Sequence, residues 1–390
     1  MKYYTSILTI VVIISSCSNK KSIRNMEFVS DSIPTYYFNN HISADTLTYS
    51  NVIESVRYVP LETMENCYLS DAMLTILKIK NKYILRSGGI MAPIVKMFGY
   101  NGEYVANALT VGRGPKETTS LLEWTTNGDK VCMFGFDKAV IYESTSKKTQ
   151  AYRLPNNEGL PFSQWCSVSK NKYAATSALP YMPEFNKNEI PYLVIMDSTF
   201  TVKKKIYYSK PRKIYQNPIP EITKSTEGWV LSSNGVEPLF IDVFNDTVYR
   251  IDTNENLLPK YILRRSREQM PKVEEANAKL SKIADRIHFT KILDGKDYIC
   301  LNTIDGTGKT GFYMWHKSQQ TPICINKAIC RFPVSFDGFH GELMVDQIIG
   351  NTIIAAIPAN KLTNVLPGLK EDDNPVVVEI KLKDNYIPER

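Results

Sequence analysis

Histidine is scarce in this chain, four in 390 residues, and none of the seven cysteines belongs to a Cys-x-x-Cys pair. A zinc site drawn from imidazole and thiolate ligands has little to build on. Long apolar runs are also missing. The strongest, Ile7 to Ile14, is about eight residues, far below the roughly 20 that span a bilayer as a helix. Blocks of one charge are absent too. The 47 Lys and Arg are scattered among 40 Asp and Glu for a formal charge of +7, and the densest basic run, Lys203-Lys204-Lys205, reads as a solvated turn. Nucleic acid is therefore not an expected partner. No nucleotide cradle survives inspection either. Gly306-Thr307-Gly308-Lys309-Thr310 ends like a P-loop, but Thr303 stands where that motif needs glycine, and the strand-like Phe312-Tyr313-Met314-Trp315 follows where a helix is required. Gly112-Arg113-Gly114-Pro115 lacks the Gly-Lys-Ser/Thr ending and reads as a tight turn.

What is present at the N-terminus is a targeting signal. Lys2 supplies a positive start, Ile7 to Ile14 the apolar stretch, and Ser15-Ser16-Cys17 two small residues before a cysteine. Ile14-Ser15-Ser16-Cys17 resembles the bacterial lipobox, in which the cysteine thiol is lipidated and the chain is cut before it. Several acyl chains on Cys17 would give stable anchoring, where one would be marginal. The basic Ser18-Asn19-Lys20-Lys21 lacks the acidic cluster associated with surface display. An outer-membrane lipoprotein facing the periplasm is thus expected rather than one on the cell surface. Residues 1–17 are the signal, 18–50 a tether and 51–390 one folded domain. The other cysteines, Cys67, Cys132, Cys166, Cys300, Cys324 and Cys330, would allow 15 disulfide connectivities in an oxidising compartment, and buried free thiols are the simpler expectation.

The folded part is rich in strand formers, with 23 Tyr and 15 Phe, and holds 21 Pro, with little helical periodicity. Lys78-Ile79-Lys80 and Tyr83-Ile84-Leu85 flank a turn. Val95 to Phe98 leads through Asn101-Gly102 into Tyr104-Val105, a strong hairpin signal. Similar runs continue to Val376-Val377-Val378-Glu379-Ile380. Only Ser266 to Ala284 has helical spacing, and it reads as an inserted helix. The units recur every 40 to 60 residues, starting near 70, 120, 162, 218, 286 and 331. A single four-stranded unit cannot bury both faces, whereas a ring of them leaves no exposed end. The fold expected is all-β, a six-bladed β-propeller closed by the early strand Val52 to Pro60. Five or seven blades, or a pair of irregular β-sandwiches, are the alternatives.

Tyr58-Val59-Pro60-Leu61-Glu62-Thr63, then Ile94 to Glu103, then Gly112-Arg113-Gly114-Pro115-Lys116-Glu117 form a succession that resembles the six-bladed, NHL-like β-propeller lipoproteins of Gram-negative gut and oral anaerobes. The likeness runs from about Val52 to Lys383 and includes Phe244-Asn245-Asp246-Thr247-Val248-Tyr249. Lys116-Glu117-Thr118 departs from the family's usual Gly-Glu-Tyr at that point. The resemblance implies architecture and compartment and carries no catalytic motif.

Asp337-Gly338-Phe339-His340-Gly341-Glu342 sets a histidine among two carboxylates. At a propeller mouth, Asp337, His340 and Glu342 could hold a metal or act as acid and base; otherwise the segment is a polar connector. Glu371-Asp372-Asp373 is an acidic turn without the EF-hand pattern. No cofactor is expected, and a divalent metal such as calcium is left open. Trp124, Trp165, Trp229 and Trp315 fall in separate units, to pack between blades or to stack on sugars. The reading that follows is a non-catalytic binding or scaffold module for a glycan, peptide or envelope protein, expected as a monomer. The alternative is a propeller-type hydrolase or lyase with a metal-assisted or His/carboxylate site at the central channel.

Overall fold

Runs in which both alternating faces are apolar can be satisfied only by neighbours on both sides, and the chain meets that demand with six sheets in a ring. The structure, a computed structural model, describes residues 33–37, 42–43, 47–48, 51–155, 162–177, 191–207, 229–233, 237–242, 246–264, 288–304, 310–318, 323–325 and 331–385. Signal residues 1–17, Cys17 and the expected helix 266–284 lie outside them. Among the described residues there is no α-helix, only the 3₁₀ turns Glu65–Cys67 and Ala359–Lys361.

Blade 1 comprises Thr75–Ile79, Lys82–Ser87, Ile94–Gly99 and Tyr104–Asn107, innermost strand first. Blade 2 comprises Glu123–Asn127, Lys130–Phe134, Lys138–Glu143 and Lys148–Arg153, and blade 3 Phe162–Ser169, Lys172–Ser177, Leu193–Asp197 and Val202–Ile206. Blade 4 holds Trp229–Ser233, Pro238–Asp242, Thr247–Ile251 and Leu257–Arg264; blade 5 holds His288–Asp294, Tyr298–Ile304, Thr310–His316 and Ile323–Ile325. Blade 6 is built from Gln347–Ile349, Thr352–Ile357 and Val376–Leu382, and its outermost strand is Ile53–Pro60 from the other end of the domain. That strand closes the ring, as the sequence suggests. The β-propeller is six-bladed.

Alternation along each strand divides its side chains between two seams. In blade 1, Tyr83 and Leu85 face blade 6, while Ile84 faces blade 2. Six buried apolar clusters result, one filling each seam. Each seam also carries a side-chain-to-backbone hydrogen bond at or beside its innermost strands. Gln347 Oε1 accepts from Lys78 N at 2.7 Å, Arg86 donates to Leu121 O at 2.7 Å, and Asn127 donates to Ser169 O at 2.9 Å. Gln164 Oε1 accepts from Leu231 N at 2.7 Å, Ser232 donates to Ile292 O at 2.6 Å, and Lys291 donates to Val345 O at 2.9 Å. Apolar surface supplies the attraction, and these directional bonds set the register of blade against blade.

Two features depart from the sequence reading. The unit expected to start near 331 is a supplementary hairpin, Arg331–Phe336 with Phe339–Met344, which does not join the blade 6 sheet. Its Phe336, Phe339 and Leu343 fill the seam between blades 5 and 6. A hairpin has the same strand-turn-strand pattern whether or not it belongs to a blade, so the pattern could not separate the two. The run Lys203-Lys204-Lys205 is not a turn but the middle of the outermost strand of blade 3, where lysines discourage edge-to-edge pairing.

Residues ahead of the closing strand also pair with the ring. Thr35–Tyr37 adds a parallel fifth strand to blade 4, Ile42–Ser43 one to blade 5, and Leu47–Thr48 pairs with the supplementary hairpin. This strap follows the rim across half the ring.

Candidate functional site

The Asp337-to-Glu342 segment is the supplementary hairpin itself. Asp337 and Gly338 form its two-residue turn with φ of 50° and 81°, both in the left-handed region that a type I′ turn requires. Alternation buries Phe339 and Leu343 and leaves His340 and Glu342 exposed on the outer side. His340 Nδ1 lies 2.7 Å from Ser335 Oγ across the hairpin. Asp337 accepts from the Tyr58 hydroxyl at 2.9 Å, and Tyr58 belongs to the outermost strand of blade 6. The segment therefore sits at the rim, not at the central channel. Among the described residues, no hydrogen bond or ion pair joins His340 or Glu342 to an acid of another blade.

The other sequence candidates fall into place as structure. In the acidic turn, Asp373 accepts from Lys370 N at 2.8 Å, while Glu371 and Asp372 point to solvent. Thr310 opens a strand antiparallel to Tyr298–Ile304, and Gly306 to Lys309 lie outside the described residues. Gly112 and Gly114 lie against the Glu117 carboxylate, which accepts from Gly114 N at 2.8 Å. Trp124, Trp165 and Trp315 are buried in seams, Trp165 stacked on Phe134 with centroids 4.2 Å apart. Cys67, Cys132, Cys166 and Cys300 are buried free thiols, and burial pushes Cys132 and Cys300 up to about 12. Among the described residues, no three His, Cys, Asp or Glu side chains gather as a metal site would need.

A cavity of about 870 Å³ opens between blades 2 and 3. It is lined by the turn 135–137 of blade 2 and by Thr199 to Val202 of blade 3. Asp197 fixes the turn 197–201 by accepting from Thr199 N at 2.9 Å and Thr201 N at 3.0 Å. That geometry forces Phe200 to φ 63° and turns its ring inward, where it stacks on Tyr173. The floor is aromatic and aliphatic, from Phe162, Phe200 and Leu154; the rim carries exposed Phe136, Asp137 and Arg153. Its size suits a small ligand, a sugar or a peptide side chain. No local pattern in the chain announces it, because its walls are brought together only by the packing of two blades.

Burial perturbs one carboxylate near the axis. The Asp346 side chain is 8% exposed, accepts from Ile76 N at 3.0 Å, and lies 3.7 Å from Lys291 Nζ. Burial raises it to about 6, against the pull of Lys291 and of the Ile76 N–H. A carboxyl raised on folding favours the folded state below its unfolded value near 3.8, and that advantage is lost as pH rises through about 6. Asp346→Asn keeps an acceptor for Ile76 and removes the titration. Its stability relative to the parent should rise between pH 4 and 8 by at most about 3 kcal/mol, read from urea unfolding at each pH. A difference that stays constant across that range would remove Asp346 as the cause.

Sequence comparison places these features in a family. The profile of a domain of unknown function, DUF4934, matches residues 19–381. The chain belongs to the DUF4934 family. No match is found among curated proteins. A solved protein of Bacteroides fragilis, described as exported, shares the fold at a TM-score of 0.65 and 15% identity, over 90% of this chain and 100% of that one. A DUF4221 family member from Bacteroides vulgatus does so at 0.52 and 12%, over 85% and 98%. Identities this low establish shared architecture alone. Among the described residues of this DUF4934 chain, no helix is long and apolar enough to cross a membrane.

Proposed function

We propose that this DUF4934 propeller is an exported lipoprotein, anchored through Cys17 to the periplasmic side of the outer membrane, that works as a non-catalytic binding or scaffold module. The observation that carries the binding role is the cavity between blades 2 and 3: an aromatic floor with the Arg153 guanidinium and the Asp137 carboxylate at its rim. Aromatic and aliphatic faces with a few polar groups at the rim suit recognition of a sugar ring or a short peptide. Support for export comes from the N-terminal signal and from the exported description of the Bacteroides fragilis protein.

The test has two arms. Membranes from cells making the parent should retain the protein, and those making Cys17→Ser should release it. The parent is then screened against glycan and short-peptide panels. A bound member should lose about tenfold or more in affinity to Phe136→Ala and Arg153→Ala, the range for anchoring aromatic and Arg contacts. Binding unaffected by both substitutions, or turnover of a panel member, would overturn the reading.

A further inference from the structure

The six innermost strands begin on one face of the ring, here the upper face. The loops of blade 1 on that face display large apolar side chains. Chain 61–74 enters the blade, 88–93 joins its second and third strands, and 108–122 leads to blade 2. Met91 is 61% exposed, Met73 54% and Tyr68 50%, with Ile90 and Val111 also exposed. Backbone hydrogen bonds make one surface of the three loops. Gly88 N donates to Ala72 O and Leu121 N donates to Ile90 O, both at 2.8 Å. Ile90 and Met91 therefore form a central ridge between the other two loops. Exposed Met, Tyr and Ile gathered in one place mark an interaction surface, and pliable Met side chains are common in such surfaces.

The charges beside this ridge are segregated. Exposed Glu65 and Asp71 lie on the loop at one side, and exposed Arg113 and Lys116 on the loop at the other, where the half-buried Glu117 carboxylate is turned back onto Gly114 N at 2.8 Å. A surface with an acidic edge, an apolar centre and a basic edge is complementary to itself under a two-fold rotation about the ridge. Isologous dimers demand that self-complementarity. Anionic lipid would meet Glu65 and Asp71 unfavourably. We infer that the blade 1 crown docks a second copy of this chain, with Ile90 and Met91 near the two-fold axis and Arg113 and Lys116 of each copy facing Glu65 and Asp71 of the other. The surface adjoins the rim of the cavity between blades 2 and 3, where Phe136 N donates to Ser120 Oγ at 3.2 Å, but shares no lining residue with it; a dimer is inferred where the sequence suggests a monomer.

Cysteine placed near a two-fold axis meets its own symmetry mate. Full-length chain carrying Met91→Cys, oxidised mildly in its native membrane, should give a disulfide-linked species of twice the chain mass. Gly128→Cys, on a turn at the opposite face, should not. Adding Arg113→Glu or Asp71→Arg to Met91→Cys should each reduce the species about fivefold, the scale of a rim ion pair, and adding both should restore it. Sedimentation of the detergent-extracted parent should show a dimer weakened by Met91→Asp. A monomer throughout, equal cross-linking from both cysteines, no rescue by the double reversal, or an adduct of another mass would each overturn the inference. The last would assign the crown to a different protein. Cavity binding, tested with Phe136→Ala and Arg153→Ala, stands or falls separately.

Discussion

Replacing Glu379 with alanine is expected to cost the fold about 3–5 kcal/mol, the range for breaking a buried ion pair from one side. Glu379 is 9% exposed in the third strand of blade 6, facing blade 1 across the seam that closes the ring. Its Oε1 accepts from Lys78 Nζ at 2.5 Å and from the Tyr83 hydroxyl at 2.6 Å, and its Oε2 lies 3.4 Å from Arg57. Arg57 also donates to Tyr83 at 2.9 Å and to Tyr100 O at 2.9 Å, with its guanidinium 3.7 Å above the Tyr100 ring. Alanine would leave two cations and a phenol facing a void. Burial alone would raise the Glu379 carboxyl, but the Lys78 and Tyr83 hydrogen bonds and the two cations hold it below its ordinary value. A carboxyl lowered on folding stabilises above its unfolded value, and that contribution is lost as pH falls through the folded one. The penalty of Glu379→Ala should thus be constant above about pH 5, where an ordinary glutamate is mostly ionised, and shrink in acid. Glu379→Gln, which keeps an acceptor for Tyr83, should cost less. Denaturant unfolding from pH 3 to pH 8 measures both; a loss under about 1 kcal/mol at pH 7, the range of exposed pairs, would mean that the cluster does not hold the ring closed.

Glu379 also shows how much of the molecule could be read from its residues. The run Val376 to Ile380 identifies a strand buried on both faces, and a carboxylate inside it demands partners. Nothing local names them, because Arg57, Lys78 and Tyr83 are about 300 residues away in the chain. The blades and their closure were legible for the opposite reason: hairpins are local, and each blade repeats the same alternation. Asp346 and Gln347 are a polar pair at the head of a three-residue strand, too short to announce itself as the innermost strand of blade 6. Arg331 to Met344, the supplementary hairpin, has the stronger strand-turn-strand pattern. Asp337, His340 and Glu342 looked like chemistry for their composition, but the Asp-Gly pair among them is a turn signal, and the turn places them at the rim. The exposed crown of blade 1 was hidden in loops, where residue type alone does not tell a packed methionine from a displayed one.

The strap gives the second large effect. Tyr36→Ala is expected to destabilise the protein by about 3–5 kcal/mol, as deletion of a buried aromatic side chain does. Tyr36 is 6% exposed and lies in the seam between blades 4 and 5. Its ring meets Tyr261 edge-on at 5.9 Å and Trp315 at 6.3 Å, and its hydroxyl reaches Lys317 O at 3.4 Å. Tyr36→Phe, which loses only that long hydrogen bond, should cost about 1 kcal/mol or less. The alanine variant should also release the parallel strands 35–37, 42–43 and 47–48 before the ring opens, since each is short and lies at an edge. Hydrogen exchange at those amides should rise well before exchange in Val376–Leu382, and equal rates would show that the strap and ring open together. With the strap docked, sixteen residue steps separate Cys17 from Ile33, about 55 Å at full extension; with it released, thirty-six separate Cys17 from Ile53, about 120 Å. Under the lipid-anchored reading, one tyrosine in a seam therefore sets how far the propeller stands from its membrane.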